Sequence, residues 1–353
     1  MAEVGPSESI SLHERFARAA ELESEGEWAA ADQLYASLFV EAARARDVVV
    51  LVDGLRRQGD VRHRHGSNEE ATELVWLSHE IAELHGLQTA AARSLNVLAT
   101  IQYFSGRLAD AERLFQEALE RARALRDDEL ISMTCQNLGV LANIEGRLRD
   151  ARTLYLESIA AAVRTHSVLA AAHAYQSLGM VCTDTAEYME AGLYFERGIE
   201  LARPLGNLHL LAHLYLNASE PLIHIGELQR AEESLRLAEL HATQTSDRDI
   251  LAALPRFRAM LARRMGQMER AELHLADGLR LSSEAGLELE RAEVLEEQAR
   301  LRWAQRRAGA ARALLREAGR LYGELGARTD LARVEEQTAE WIAHTLQSAR
   351  AGD

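Results

Sequence analysis

His209 and His213, in the run His209-Leu-Leu-Ala-His213, stand four residues apart. On a helix this spacing puts both imidazoles on one face, where they could chelate a metal ion. A metalloprotease helix also needs a glutamate beside its first histidine to act as base, and position 210 is leucine. His173 occupies the same column as His213 one 40-residue step earlier. The three are therefore read as groove or surface histidines, and no metal ligand is assigned. His63-Arg-His65 reads as the basic end of a helix. Cys135 and Cys182 fall on the buried side of their helices and are read as core thiols. No serine or cysteine sits on a nucleophile elbow, and no glycine loop has phosphate-binding spacing. Carboxylate pairs such as Asp127-Asp128 and Glu232-Glu233 fall at helix starts, where they complement the helix dipole. No catalytic residue and no cofactor is expected, and the chain is not read as an enzyme.

Composition narrows the classes further. The net charge of −15 argues against a general nucleic-acid binder. The basic segment Arg56 to His65 is the one candidate patch, and it lacks a reading helix with exposed aromatics. No apolar run is long enough to span a bilayer. Residues 1–10 show neither the basic start nor the apolar block of a signal peptide, and two cysteines make no disulfide framework, so a reducing cytoplasmic location is expected. All 40 basic residues are arginine, which reads as coding bias rather than as selection for the guanidinium fork. Four prolines among abundant Ala, Leu, Glu and Arg favour helix throughout.

A 40-residue period organises the chain. Alanine recurs in register at Ala31, Ala71, Ala111, Ala151, Ala191, Ala231, Ala271 and Ala311. Twelve residues earlier the side chain is always small: Ala19, Gly59, Ala99, Gly139, Gly179, Ser219, Ala259 and Ala299. Four residues later it is always large and apolar: Tyr35, Val75, Phe115, Tyr155, Phe195, Leu235, Leu275 and Leu315. Such a pattern predicts an antiparallel helix pair, A then B, whose small residues let the backbones approach while the large one fills the remaining space. Stop signals follow the same period. Helix A ends near Gly26, Gly66, Gly106, Gly146, Ala186, Gly226, Gly266 and Arg306, and helix B near Arg46, Gly86, Arg126, His166, Gly206, Ser246, Gly286 and Gly326. Asp47, Asp127, Ser167, Asn207 and Asp247 are candidate N-caps, and Ser11-Leu-His-Glu14 reads as a capping box.

The segments Asn137-Leu138-Gly139 with Gly146-Arg-Leu148-Arg-Asp-Ala151 and Tyr155, and Ser177-Leu178-Gly179 with Ala191 and Phe195, resemble the tetratricopeptide repeat. The helices are longer than usual and are similar to the extended repeats of kinesin light chains, bacterial peptide-receptor regulators and maltose-regulator-type activators. The resemblance covers about residues 12–346 and implies an all-α, right-handed α-solenoid of eight helix pairs with A on the concave side. The expected layout is a disordered tail at 1–10 and a single solenoid over 11–349. Its repeats are 12–46, 47–86, 87–126, 127–166, 167–206, 207–246, 247–286 and 287–326, closed by a capping helix at 327–349. That last helix should bury Leu331, Val334, Trp341, Ile342 and Leu346, with Arg328, Arg333, Glu336 and Glu340 mostly facing away.

The concave wall is placed 18, 15, 14, 11, 8 and 7 residues before each repeat alanine. Those columns hold eight arginines and eight carboxylates, so the wall is near neutral overall but zoned. Arg56, Arg57, His63 and Arg64 make one basic zone and Arg256, Arg263 and Arg264 another; Glu293, Glu296 and Glu297 are acidic. Between them lie Asn96, Tyr103, Phe104, Gln136, Asn137, Asn143, Gln176, Ser177 and Asn217. An amide ladder can hold an extended peptide through its backbone, with the arginines selecting acidic groups and Tyr103 an apolar anchor. In similar repeats concave asparagines do this. The leading expectation is a non-catalytic adaptor that binds a protein or peptide partner, with no direct nucleic acid and no membrane. The alternative is a peptide-gated regulator whose superhelix changes on binding. Any DNA-binding domain would sit on another chain, since only ten residues precede the first repeat. Eight layers are also compatible with an edge-on homodimer.

Overall fold

The computed structural model describes residues 11–351, so the expected tail at 1–10 lies outside the described residues. Seventeen helices and no strand occur among the described residues. The first pairs are α1 (Leu12–Ser24) with α2 (Trp28–Ala45), α3 (Val48–Arg64) with α4 (Asn68–Leu84), and α5 (Gln88–Phe104) with α6 (Leu108–Leu125). Then come α7 (Asp128–Ile144) with α8 (Leu148–Arg164), α9 (Val168–Asp184) with α10 (Tyr188–Leu205), and α11 (Leu208–Ile225) with α12 (Leu228–Thr245). The last are α13 (Arg248–Arg264) with α14 (Met268–Ala285), α15 (Glu288–Ala304) with α16 (Ala308–Leu325), and the final helix α17 (Arg328–Ala351). The chain is an all-α solenoid. Where the repeat predicts one continuous body over 11–349, contacts group the chain into two compact units that meet in sequence between Leu138 and Gly139, inside α7.

The in-register residues do what their sizes require. All eight repeat alanines are fully buried, and every large partner from Tyr35 to Leu315 is no more than 2% exposed. The small residue of helix A faces the large residue of helix B. A Cβ placed on Gly139 would lie 2.5 Å from the Tyr155 ring, and one on Gly179 would lie 2.8 Å from the Phe195 ring. Each unit has its own apolar core: Ala31, Tyr35, Leu38 and Val61 belong to the first, and α9 to α13 share a large cluster in the second. Val334 and Trp341 of α17 close the far end of that unit, with Trp341 stacked 4.5 Å from Trp303. Ile342, expected in this stripe, is 41% exposed.

Every predicted stop residue, in both the A-to-B and B-to-A turns, has a left-handed backbone, with φ between 55° and 88°. The amide just after the left-handed residue usually reaches back to close the turn, as Gln267 N does to Ala262 O at 2.8 Å. Six of these positions carry a Cβ, among them Ala186 at φ 58° and Arg306 at φ 60°. Left-handed backbone costs a non-glycine residue about 1–2 kcal/mol, partly offset by the extra unfolded-state freedom of glycine. Ala186→Gly should therefore raise stability by about 0.5–1 kcal/mol, read as a higher urea midpoint. The capping box forms, with Ser11 Oγ accepting from Glu14 N and Glu14 accepting from Ser11 N. Asp47, Asp127, Asn207 and Asp247 cap through their side chains, whereas Ser167 makes no side-chain cap bond.

Candidate partner-binding site

In the first unit the wall arginines Arg56 and Arg57 are already engaged. Arg56 lies 3.1 Å from Asp53, and Arg57 lies 3.0 Å from Glu23 of α1 with its guanidinium over the Phe16 ring. Glu23 also accepts from the Tyr35 hydroxyl at 2.9 Å, so this cluster ties α1, α2 and α3 together. Asn96 is only 5% exposed. Its Oδ1 accepts from Thr134 Oγ1 at 3.2 Å and from Asn137 Nδ2 at 3.3 Å, which makes it a strut between α5 and α7. Gln136 and Asn137 are half-buried on α7. Tyr103 is half-buried and sits edge-on to Phe104 at 5.0 Å. Phe104, 66% exposed and 5.2 Å from the His63 ring, is the open apolar surface of this group.

The second unit builds a recess of about 410 Å³ from successive helix stripes. Residues three, four and seven apart share a helical face. Accordingly α11 offers Glu220 and His224, α13 offers Arg256, Met260 and Arg263, and α15 offers Glu293, Glu296, Glu297 and Arg300. The end of α9 adds Thr183 and Asp184, and the start of α10 adds Tyr188. Helix α17 supplies Asp330, Arg333, Glu336, Gln337 and Glu340. Its polar face, expected to lie away from the apolar stripe, is a wall of this cup.

Ion pairs cross from helix to helix. Glu290 holds Arg256 with two bonds, at 2.9 and 3.2 Å, and Glu293 approaches the same guanidinium at 2.7 Å. Arg263 meets Glu297 through two bonds, at 2.5 and 3.2 Å. Arg300 pairs with Glu296 and Glu297, and Arg333 pairs with Glu296 and with Asp330. The Tyr322 hydroxyl donates to Glu296 at 3.0 Å. Glu296 and Glu297 are 2% and 1% exposed, so their charges are tolerated only because these partners surround them.

Carboxylates nevertheless outnumber guanidiniums in the lining, eight to four. Asp184 is exposed at the edge of the recess, with the surrounding protein displacing part of the water around its carboxyl. Burial first, and then Glu220 and Asp330 against the pull of Arg333, push its pKa up to about 7. Burial likewise raises Glu293, with Arg256 opposing. Burial lowers His224 to about 4, aided by Arg300, Arg263 and Arg264, so its ring is neutral near pH 7 and stacks on Tyr188 at 4.0 Å. The native state thus binds the Asp184 proton more tightly than the unfolded chain does, and ionised Asp184 opposes folding increasingly up to about pH 7. Asp184→Asn should raise the melting temperature at about pH 8 and leave it nearly unchanged at about pH 3.5, in a scan of thermal unfolding against pH.

Of the residues singled out in the sequence, Arg256 and Arg263 line this recess, together with the acidic group Glu293, Glu296 and Glu297. Asn143, Gln176 and Asn217 are half-buried in the same unit outside the lining. Asn143 Oδ1 is buried with no hydrogen-bond partner, as is Gln337 Oε1 in the lining. Sequence reading passed over Asp184 and Glu220, although both occupy the wall columns. Asp330 and Gln337 lie beyond the last repeat, where no period could point to them.

No protein-family model matches the chain, and no curated protein matches it. Solved structures do. A tetratricopeptide repeat protein from Parabacteroides merdae is 16% identical with a TM-score of 0.53, over 80% of this chain and 98% of that one. A Rap protein complexed with Competence and Sporulation Factor is 10% identical with a TM-score of 0.57, over 96% and 99%. Aspartyl phosphate phosphatase F from Bacillus subtilis is 11% identical with a TM-score of 0.54, over 97% and 96%. These likenesses establish a tetratricopeptide-like fold.

Proposed function

We propose that this tetratricopeptide-type solenoid is a non-catalytic interaction scaffold whose second unit takes a cationic segment of a protein partner into its charged cup. The observation that carries the reading is the surplus of carboxylates in the lining after its four guanidiniums are paired. Arg256 and Arg263, read in the sequence as selectors of acidic groups, are held by Glu290 and Glu297. Asp184 and Glu220 have no arginine bonded to them, and an entering ammonium or guanidinium would gain charge-assisted bonds to both. An acidic segment would meet repulsion instead. The unpartnered oxygen of Gln337 is an acceptor for a backbone N–H of an extended segment. The ionisable groups here mostly satisfy one another, an arrangement suited to recognition. The similar Rap protein with its bound factor accords with this reading.

Fluorescence anisotropy with two labelled peptides of equal length tests it, one rich in arginine and serine and the other in aspartate and serine. The basic peptide should bind, weaken as salt rises, and lose about tenfold or more in affinity in the Asp184→Asn, Glu220→Gln double variant. Equal or tighter binding of the acidic peptide, or indifference to the double variant, would sink the proposal.

A second reading, the gated regulator, draws on one contact. The turn at Gly146, between α7 and α8, lies against α17, where a Cβ on Gly146 would come 3.3 Å from Thr329 Oγ1. A segment seated against α17 would bear on this rim. X-ray scattering with and without the basic peptide should then show a change in radius of gyration, and a constant radius favours the passive scaffold.

A further inference from the structure

Away from the cup, the second unit gathers two histidines of α11 and the buried N-cap carboxylate of α13. His209 and His213 lie one turn apart near the start of α11, and Asp247 is the N-cap of α13 in the next repeat. The side chain of Asp247 is 5% exposed. Its two oxygens are differently employed. Oδ1 accepts from Ile250 N at 3.2 Å, which is the capping bond. Oδ2 lies 2.7 Å from His209 Nδ1 and 3.5 Å from His213 Nε2, yet takes part in no hydrogen bond. Oδ2 is thus a buried acceptor turned toward two ring nitrogens, the donor types a transition-metal ion takes.

We propose that His209 Nδ1, His213 Nε2 and Asp247 Oδ2 form a binding site for a divalent transition-metal ion of the zinc class. The three donor atoms lie within 4.8 Å of one another, close enough for small side-chain rotations to bring them around one ion. Neutral imidazole nitrogens plus one carboxylate oxygen are the donors such ions prefer over magnesium or calcium. His173 of α9, in the same column as His213, is near enough for its charge and those of the α11 histidines to act on one another. His173 lies outside this set of three donor atoms, and the fourth position is open to water or to a partner's side chain. A bound ion would join consecutive A helices of the solenoid.

A second cluster, Cys182 with Glu187 and Glu190, makes a useful control. Burial pushes the Cys182 thiol up to about 11, and Arg152 already pairs with both glutamates, so that cluster has no free ligating charge. Isothermal titration of the chelator-treated full chain with zinc chloride, repeated with cobalt chloride followed by visible absorption, decides the matter. One ion per chain should bind, cobalt should give the spectrum of a nitrogen-and-oxygen ligand field, and zinc should raise the melting temperature. His209→Gln and Asp247→Asn should each weaken zinc by about tenfold or more, while Cys182→Ala leaves it unchanged. Asparagine keeps the capping oxygen, so Asp247→Asn should retain full helicity by circular dichroism, separating lost ligation from lost fold. Absence of saturable binding, or binding that survives both ligand variants, would show that the cluster is a histidine–aspartate ion pair and overturn the proposal.

Discussion

Gly179→Leu should cost about 3 kcal/mol or more, read as a fall in the urea midpoint of the full chain. A Cβ alone would stand 2.8 Å from two atoms of the Phe195 ring, and that ring is 1% exposed with no room to retreat. Gly179→Ala is the graded version. Alanine gains about 1 kcal/mol of helix propensity over glycine, against an overpacking cost of about 1–3 kcal/mol, so a smaller net loss remains. The compensating change is visible elsewhere in the chain. Leu235 pairs in register with Ser219, Leu275 with Ala259 and Leu315 with Ala299, while Tyr35 and Phe115 also pair with alanines, Ala19 and Ala99, so the room at each layer is set locally. Phe195→Leu should rescue Gly179→Ala, with a coupling of about 1 kcal/mol in a double-mutant cycle. Additive losses would contradict the size-matching account of the A/B contact.

Glu296→Ala should cost about 3 kcal/mol. The carboxylate is 2% exposed and receives Arg300, Arg333 and the Tyr322 hydroxyl, so its removal leaves two guanidiniums and a phenol without their shared acceptor. Because the Arg300 and Arg333 side chains are 29% and 41% exposed, water relieves part of the penalty, and the loss belongs at the lower end for a broken buried pair. Glu296→Gln, which keeps an acceptor for Tyr322, should lose less. Equilibrium denaturation of both variants checks the order. A loss below about 1 kcal/mol for Glu296→Ala would mean that the cluster behaves as an exposed ion-pair network.

The fold was legible because its determinants are local and periodic. Ala31 and its seven counterparts fix where backbones meet, and Gly26, Arg46 and their successors fix where helices stop, each readable from position alone. The recess draws Asp184, Glu220, Arg256, Arg263 and Glu296 from the wall columns. Partnership was not legible. That Arg263 meets Glu297 depends on helices α13 and α15 lying side by side at a particular height, which a column assignment does not contain. Asn96 shows the same limit, because an amide in the right column proved to bridge neighbouring helices. The polar face of α17 was read only as lying away from its apolar stripe, because it has no successor repeat to compare with. The histidine pair was visible, but the carboxylate that gives it chemical interest arrives from the next repeat, with Asp247 read only as a cap.

Left-handed residues recur at every twentieth position from Gly26 to Gly326. Each hairpin therefore begins and ends with the same backbone geometry, and none carries an insertion. A 40-residue cassette cut at these points, such as 207–246, could be copied in tandem and its new junctions would meet the helix ends they already fit. The array behaves as a length standard: its reach can be altered in whole quanta, while the side chains inside each quantum remain free to diverge.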